Sequence, residues 1–357
     1  MRILALVNQK GGCGKTTTAI HLASRLADLG RRTVLVDLDP QGHATLGLGQ
    51  PAPPPDRCVA RVLSRSGLDQ RARSLQEILV PVTDNLRLAP TGAELAELEP
   101  ELARTPGAEE RLAEHLVPLM HDADWVIIDA PPSLGMLTVN TLMAAEEILV
   151  PVEPSLFSLH GLARLVELTK LLTDRSRHPI DFHVLVNAYD RRTNFARQTR
   201  QEIRDTFPEQ TLDTTIRCCV AVREALAHGQ PVTRHAPRSA VARDYAALAF
   251  ELEQLPLTRR PAPVAGLVVS SNGISLTRHD LVPDRVRLAG SFNGWIPDAE
   301  VTLEHHSDGS WTKTFPLQPG RHEYKLIVDG QWVVDPLNPR RVANDAGTEN
   351  SVLEIDA

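Results

Sequence analysis

The chain has 357 residues, 42% of them hydrophobic and 23% charged, with a formal net charge of −7. This is an ordinary soluble composition with enough apolar residues for a core, and the length allows two domains. The net charge argues against a protein that coats nucleic acid over its whole surface, although a local basic face remains possible. No apolar run approaches the roughly 18 residues of a membrane span.

The cysteines and the N-terminus indicate the cell compartment. The four cysteines show no metal-ligand spacing, and the adjacent pair Cys218 and Cys219 is a poor candidate for a disulfide. The N-terminus leads directly into the first motif, so we expect no signal peptide. Together these features predict a cytoplasmic protein with reduced thiols.

The first predicted elements are a strand, a glycine-rich loop and a helix. Residues 3–7 form a short apolar run, and apolar residues recur at helical spacing from Ala19 to Leu29. Glycines allow backbone N–H groups to approach an anion, and a helix N-terminus adds partial positive charge. The order therefore predicts a phosphate-binding loop. The general P-loop pattern requires glycine where this chain has Gln9. The loop itself reads Lys10-Gly11-Gly12-Cys13-Gly14-Lys15-Thr16-Thr17-Thr18.

Carboxylates follow two further predicted strands. Residues 33–36 lead into Asp37 and Asp39, and residues 125–128 lead into Asp129. A carboxylate at the carboxyl end of a strand, beside a phosphate loop, is well placed for Mg²⁺ or for a water molecule. A lone Asp-x-Asp could equally be a solvated turn, but the phosphate loop upstream favours the functional interpretation.

Strands and helices alternate through about residue 255. This alternation predicts a mostly parallel sheet with helices on both faces, which is an α/β domain over residues 1–255. Residues 256–265 contain several prolines and arginines and are predicted to form a linker. The remaining predicted elements are a strand at 86–90, mostly helical residues at 93–121, a strand at 148–152, a helix from about 160 to 174 and a strand at 182–187.

The last part of the chain, residues 266–357, has a different period. Apolar and polar residues alternate in short runs, and Asp-Gly, Pro-Gly and Asn-Gly turn signals separate these runs. The pattern predicts a small all-β sandwich of the immunoglobulin-like kind.

Nearly all of residues 1–255 resembles the ParA/MinD-type partition ATPases, a P-loop NTPase family with a deviant phosphate loop. The resemblance implies ATP or ADP and Mg²⁺ as ligands, a homodimer that forms on ATP, non-specific binding of nucleoid DNA, and a ParB-like protein that triggers hydrolysis. The membrane-binding branch of this family ends in a basic amphipathic helix, so we expect no membrane binding here. The motifs that carry the resemblance lie at residues 10–18, 36–42, 128–135, 137–140 and 189–194.

The resemblance also implies roles for residues of the phosphate loop. Lys15 would reach the β- and γ-phosphates, while Thr16 would ligate Mg²⁺ and Thr17 would hold the α-phosphate. Lys10 would cross a dimer interface to the nucleotide of the other copy. The backbone of the loop would surround the phosphates, and its remaining residues are Gly11, Gly12, Cys13 and Gly14.

Further roles fall on residues outside the loop. By resemblance, Asp39 would orient the attacking water, while Asp129 would support the metal ion and Asp37 would assist nearby. Asn187 matches a position that family members use near adenine.

A DNA-binding face is a separate hypothesis. Arg197, Arg200 and Arg204 lie at helical spacing and could contact phosphates, although a solvated helix face would show the same pattern. Nearby, the family usually has Ile-Pro-Arg, whereas this chain has Ile216-Arg217-Cys218. Arg217 is therefore displaced by one position, and its contact with DNA does not follow directly.

Residues 273–355 resemble the glycogen-binding module of AMP-activated protein kinase β-subunits and of branching enzymes. By resemblance, Trp295 and Trp332 would stack on glucose rings, and polar groups would bind sugar hydroxyls. Ala346 stands where a larger apolar residue often packs against the sugar. The alternative is that both tryptophans belong to the core of the sandwich. The predicted polar contacts of the glucan are Lys325, Thr348 and Asn350.

The combined prediction is a nucleoid-associated ATPase that positions or segregates a cargo such as a plasmid, a chromosome or a cellular body. The C-terminal module would bind an α-glucan or a protein. Two alternatives remain open: the module serves as a scaffold or dimerisation platform without sugar contact, or the ATPase is an ordinary partition protein.

Overall fold

The chain forms two compact units, Met1–Thr258 and Arg259–Ala357. No helix among the described residues is long and apolar enough to cross a membrane. The computed structural model describes residues 1–64, 74–105, 107–120, 122–155, 161–162, 165–166, 169, 180–256, 266–270, 273–278, 286–296, 304–305, 311–315, 317–328, 331–335, 338, 340–344 and 348–355.

An eight-stranded sheet forms the centre of the first unit, in the order β3-β4-β2-β5-β1-β6-β7-β8. All neighbouring strands are parallel except β3 and β4, which form an antiparallel pair at one edge. The strands are β1 (Arg2–Leu6), β2 (Thr33–Asp37), β3 (Val80–Thr83), β4 (Leu86–Ala89), β5 (Trp125–Asp129), β6 (Glu147–Val152), β7 (Asp181–Tyr189) and β8 (Thr211–Arg217).

Helices cover both faces of this sheet. In β1, Ile3 and Ala5 belong to one hydrophobic cluster, while Leu4 and Leu6 belong to the other. Because successive strand residues point to opposite faces, this division shows a sheet buried on both sides, as predicted. The helices are α1 (Lys15–Asp28), α2 (His43–Gly47), α3 (Val59–Leu63), α4 (Leu75–Ile78), α5 (Glu94–Leu102), α6 (Arg111–Leu116), α7 (Met136–Ala144), α8 (Asn194–Thr206), α9 (Val220–Ala227), α10 (Val232–His235) and α11 (Ala240–Gln254).

The register of the central strands gathers the predicted motifs at one edge of the sheet. Leu6, at the end of β1, is paired with Asp129, and Asp37 is paired with Asp129 as well. The phosphate loop and two of the predicted carboxylates therefore lie side by side at the carboxyl ends of β1, β2 and β5.

Three predicted segments differ from the structure or lie mostly outside its described part. The helical range 93–121 divides into α5 and α6, with Gly107 between them at a φ of 74°, a conformation that favours glycine and interrupts a helix. The predicted helix at 160–174 lies mostly outside the described residues. The predicted linker does so as well, since only Pro256 of it is described.

In the second unit, every pair of strands among the described residues is antiparallel, which confirms the small all-β module. One sheet has the order β12-β13-β10-β9, and the other has the order β11-β14-β17-β16, with β15 paired to β14. The strands are β9 (Gly266–Ser270), β10 (Gly273–Arg278), β11 (Val286–Gly290), β12 (Glu304–His305), β13 (Trp311–Phe315), β14 (Gly320–Val328), β15 (Gln331–Val333), β16 (Arg341–Ala343) and β17 (Glu349–Ile355).

Candidate functional site

The phosphate loop connects β1 to α1. Gly12 and Gly14 have φ values of 75° and 91°, which side chains other than glycine rarely adopt. At Gly14 a Cβ would also lie 2.0 Å from Nδ2 of Asn187. Both the backbone conformation and the available space therefore require glycine at this position.

Lys15 is the first residue of α1 and is only 7% exposed. The first turn of α1 contains no acidic residue, and no side chain caps the helix. The first N–H groups of a helix have no partner within the helix, and here they stand beside a buried cation. This end of α1 is therefore suited to bind an anion.

Asp37 is fully buried beside α2. Its Oδ2 accepts hydrogen bonds from the Thr45 backbone N (2.8 Å) and from Thr45 Oγ1 (2.6 Å), while its Oδ1 has no partner among the described residues. Burial raises the pKa of Asp37 to about 6, and the bonds from Thr45 oppose this shift. The carboxylate is thus held in place but incompletely satisfied.

Asp129 is more strongly perturbed than Asp37. Neither of its carboxylate oxygens has a hydrogen-bond partner of good distance and angle among the described residues. Burial, and then repulsion from Asp37, raises the pKa of Asp129 well above its usual range, and the Thr16 hydroxyl only partly opposes this shift. Unsatisfied buried carboxylates of this kind fit a cation.

The residues at this edge fit Mg²⁺ if phosphate and water complete its coordination. In the described part of the chain, no group of three or more His, Cys, Asp or Glu residues could hold a metal ion. Thr16 and Asp129 would be the protein groups for Mg²⁺, which prefers oxygen ligands and commonly retains several waters. When bound, the ion neutralises phosphate charge.

Replacing Asp37 should stabilise the nucleotide-free protein at neutral pH. The folded state retains a proton on Asp37 up to about pH 6, above its usual pKa of 3.8, so stability falls as pH rises through this window. Asp37→Asn keeps an oxygen for both Thr45 bonds and removes the buried charge. We expect the free energy of unfolding to increase by on the order of 2 kcal/mol at pH 7.5, and by much less near pH 4.

Urea unfolding of both proteins at several pH values measures this difference. Asp84→Asn, in the exposed turn between β3 and β4, is the control for the change of charge. Equal stabilities at pH 7.5 would contradict the expected cost of the buried carboxylate.

Asp39 follows β2 at the same edge of the sheet and is buried, at 7% exposure. Its Oδ1 accepts a hydrogen bond from the Gln41 backbone N (2.9 Å), and its carbonyl accepts one from Gly42 N (2.9 Å). The bond from Gln41 fixes the direction of the carboxylate, and the bond from Gly42 fixes the turn of the backbone. The role of orienting a water stays a prediction. The alternative of a freely solvated turn does not fit the burial of Asp39.

Lys10 points away from the buried centre of the site. Its side chain is 42% exposed, and its Nζ lies 3.1 Å from Oγ of Ser155 and 3.5 Å from Oε2 of Glu153. Both contacts are with the segment that follows β6. The two lysines of the loop thus differ in position, with Lys15 buried and Lys10 at the surface.

Asn187 contacts the phosphate loop directly. Its Nδ2 donates a hydrogen bond to the Cys13 carbonyl (2.8 Å), and the residue is 6% exposed. The structure therefore brings Asn187 to the predicted nucleotide site.

The predicted DNA-contacting arginines of α8 differ in their surroundings. Arg197 is exposed, whereas the Arg200 guanidinium lies 5.9 Å from the centre of the Tyr189 ring. Arg204 forms an ion pair with Asp213 at 2.5 Å. Arg197 and Arg200 are therefore better placed for a phosphate than Arg204.

Arg217 is held within the chain. Its guanidinium donates two hydrogen bonds of 2.7 Å to the carboxylate of Asp244, and its backbone N donates a third (3.1 Å). A bidentate pair is among the stronger side-chain contacts. The pair with Asp244 would have to break before Arg217 could contact DNA.

In the second unit, Trp295 and Trp332 are neighbours. Their ring centroids lie 6.3 Å apart and their planes are inclined by 39°. Trp332 is 48% exposed, so it does not belong to the core. Trp295 has a φ of 64°, and its N donates to the Gly290 carbonyl (3.0 Å), which holds this strained position.

The predicted polar residues of the glucan site form one network. Lys325 Nζ donates to Thr348 Oγ1 (2.7 Å), and Asn350 Nδ2 donates to Glu323 Oε2 (3.0 Å). Nδ2 of Asn344 connects the two halves, because it donates to Thr348 Oγ1 (2.9 Å) and to Asn350 Oδ1 (2.8 Å). The sequence interpretation missed Asn344 and Glu323, since only their hydrogen bonds in the folded chain reveal them.

The strand register places the network and Trp332 on one face of the sheet. Lys325 and Ile327 are two residues apart in β14 and share a face, and Trp332 is paired with Ile327. Tyr324 and Leu326 point to the opposite face and are buried. On the face of the sheet that carries Lys325, the residues Ile327 and Asn350 are themselves buried, at 5% and 4% exposure, while Trp332 remains 48% exposed. This face thus combines an exposed aromatic ring with fixed polar groups.

The strand order, the phosphate loop with its buried lysine, and the adjacent carboxylates define a P-loop nucleotide-binding domain. Residues 1–182 match the family described as AAA domain, and residues 281–357 match the family described as the glycogen recognition site of AMP-activated protein kinase. The chain belongs to the ParA/Soj/MinD-like family of partition ATPases.

Two curated relatives illustrate this membership. The chain is 37% identical over 252 residues to the sporulation initiation inhibitor protein Soj of Bacillus subtilis, covering 70% of this chain and 98% of that protein. It is 42% identical over 257 residues to the chromosome-partitioning ATPase Soj of Thermus thermophilus, covering 71% and 95% respectively.

Solved structures share the fold of the first unit. An ATP complex of McdA from Cyanothece has a TM-score of 0.64 at 21% identity, covering 72% of this chain and 99% of that one. Cobyrinic acid a,c-diamide synthase from Mycobacterium smegmatis, with an ATP analogue and magnesium, has a TM-score of 0.62 at 30% identity, with coverage of 73% and 100%.

Proposed function

We propose that this chain is an ATPase of the partition type, with ATP and Mg²⁺ bound at the phosphate loop. Two copies associate on ATP, and Lys10 of each copy reaches the nucleotide of the other. The dimer binds DNA non-specifically, and a ParB-like protein triggers hydrolysis. The observation that carries this proposal is the position of the two lysines, since Lys15 is buried at the helix terminus while Lys10 stays exposed.

Residues of the chain have distinct tasks in this reaction. Lys15 and the loop N–H groups hold the phosphates, and Asp39 accepts a hydrogen bond from the attacking water. Phosphoryl transfer depends on positioning and on neutralisation of charge, so a cation from the second copy makes hydrolysis depend on dimerisation.

Lys10→Ala should separate nucleotide binding from dimerisation. We expect ATP affinity within about threefold of the wild type, because Lys10 lies outside the buried part of the loop, and loss of the ATP-dependent dimer. Light scattering coupled to gel filtration, with and without ATP, measures the dimer. Arg31→Ala removes another exposed cation, which pairs with Glu253 far from the loop, and should dimerise normally. A full dimer of the Lys10 variant would contradict the proposal.

For the second unit we propose that the surface formed by Trp295, Trp332, Lys325 and Thr348 binds an α-glucan, and that the buried Asn350 supports this surface from below. The exposed tryptophan beside a fixed polar network supports this function, because sugars present apolar faces and hydroxyl groups together. The module would then direct the ATPase to a glucan particle as its cargo.

Trp332→Ala in the full chain should weaken binding to glycogen by about 30-fold or more, the effect of removing a central aromatic contact. Co-sedimentation with glycogen measures the affinity. Val333→Ala is a matched control, because Val333 is the next residue of β15, is 39% exposed and points to the other face. If neither the wild type nor the variants bind glycogen, the module is a platform for a protein.

A protein ligand is the second candidate for this surface. Ile296, next to Trp295, is 61% exposed, and it extends the apolar area beyond the two rings. An aliphatic extension of this kind suits a protein partner as well as a sugar.

A further inference from the structure

The end of β7 has an unusual backbone conformation beside the phosphate loop. Ala188 has a φ of 50°, in the left-handed region that residues other than glycine rarely adopt. Such strain persists only when the surrounding structure maintains it, and it is concentrated at functional sites. Asn187 immediately precedes Ala188, so the backbone conformation of Ala188 affects the position of Asn187.

Asn187 reaches across one strand to the phosphate loop. In the sheet, β6 lies between β7 and β1, from which the loop emerges. The Asn187 amide crosses this distance and donates a hydrogen bond of 2.8 Å to the Cys13 carbonyl. It also occupies the space beside Gly14, since a Cβ there would lie 2.0 Å from Nδ2. The contact is therefore buried and closely packed.

This bond determines the direction of one N–H group of the loop. In a trans peptide the carbonyl and the following N–H point in opposite directions. The Cys13 carbonyl is directed toward Asn187, so the Gly14 N–H is directed away from Asn187. Phosphate loops bind anions through such N–H groups. Gly14 has a φ of 91°, and glycine can adopt more backbone conformations than other residues, so a side-chain bond to this peptide restricts it.

We propose that Asn187 is a positioning residue of the phosphate loop, which holds the Cys13–Gly14 peptide in the orientation for binding phosphate. The inference rests on the proposed binding of ATP. It differs from a contact with adenine in one measurable respect: a tether of the loop acts on every ligand that carries the phosphates, whatever its base.

The test is the affinity of Asn187→Asp for ATP, GTP and inorganic triphosphate, measured by calorimetry on the full chain. The carboxylate has the size of the amide but cannot donate to the Cys13 carbonyl. We expect the variant to bind every ligand of the wild type about tenfold or more weakly, and the factor should be similar for all of these ligands. Asn187→Ala removes the donor without adding charge and should give a smaller, parallel loss.

Asn85→Asp is the matched control. Asn85 Nδ2 donates to the Ala27 carbonyl (3.3 Å), which is the same kind of bond at a distance from the loop, and this variant should bind all ligands as the wild type does. A loss confined to ATP, or unchanged affinities in both Asn187 variants, would overturn the inference. A wild-type chain that binds no ATP would instead refute the proposed function.

Discussion

Lys15→Met should bind ATP at least about 100-fold more weakly than the wild type, and its ATPase activity should be undetectable. Lys15 is 7% exposed, at the first position of α1, where the helix presents its free N–H groups. A cation in a partly desolvated position interacts more strongly with phosphate than one in water. Methionine keeps the unbranched apolar stem of the side chain and removes the ammonium group, with its charge and its N–H donors.

The stability of the nucleotide-free variant is the control for this experiment. The first turn of α1 contains no acidic residue, so the variant loses no ion pair with that turn. Outside that turn, the charge of Lys15 lowers the pKa of the buried Asp129, so the cation partly offsets a buried carboxyl group. We expect the variant to stay folded, with an unfolding midpoint equal to or slightly below that of the wild type. Calorimetry and thermal unfolding together separate lost binding from lost folding. Normal ATP affinity in a folded variant would refute the role of Lys15.

Asp39→Ala should bind ATP and dimerise, but it should hydrolyse ATP at least about 100-fold more slowly than the wild type. The variant leaves Lys15 and the loop intact, so binding persists. It removes the carboxylate that the Gln41 backbone N holds in place, and with it the acceptor for the attacking water. Because the dimer no longer decays by hydrolysis, DNA binding should also last longer after ATP is added.

Single-turnover hydrolysis and gel filtration with ATP measure these two properties. Asp84→Ala removes an exposed carboxylate from the turn between β3 and β4 and should hydrolyse ATP normally. Wild-type turnover in the Asp39 variant would refute the proposed role, whereas loss of the dimer would show that Asp39 contributes to the interface.

The first half of the nucleotide site could be predicted from sequence because its residues are contiguous. The loop, Lys15 and the start of α1 lie within a few positions of one another, and strongly apolar strands precede each carboxylate. The edge strands gave weaker signals. β3 contains Pro81, which an edge strand tolerates, and β8 is mostly polar, so neither has the apolar run of a central strand.

Contacts between distant parts of the chain could not be predicted. The bond from Asn187 to Cys13 joins residues that are 174 positions apart, and Thr45 acquires its role only because α2 places it beside Asp37. Asn344 has no motif of its own, and it became visible only through its hydrogen bonds. Such contacts arise from tertiary packing, which a local pattern does not encode.

The 39° inclination between Trp295 and Trp332 has a consequence for the curvature of a bound polymer. Two inclined rings cannot both lie flat against a straight ribbon, which is the form of a β-1,4-linked glucose chain. An α-linked chain coils, so its successive sugars present their faces at changing angles. If the module binds an α-glucan as proposed, the two inclined rings would therefore fit a coiled chain better than an extended one and would contribute to the selection of the polysaccharide by its shape.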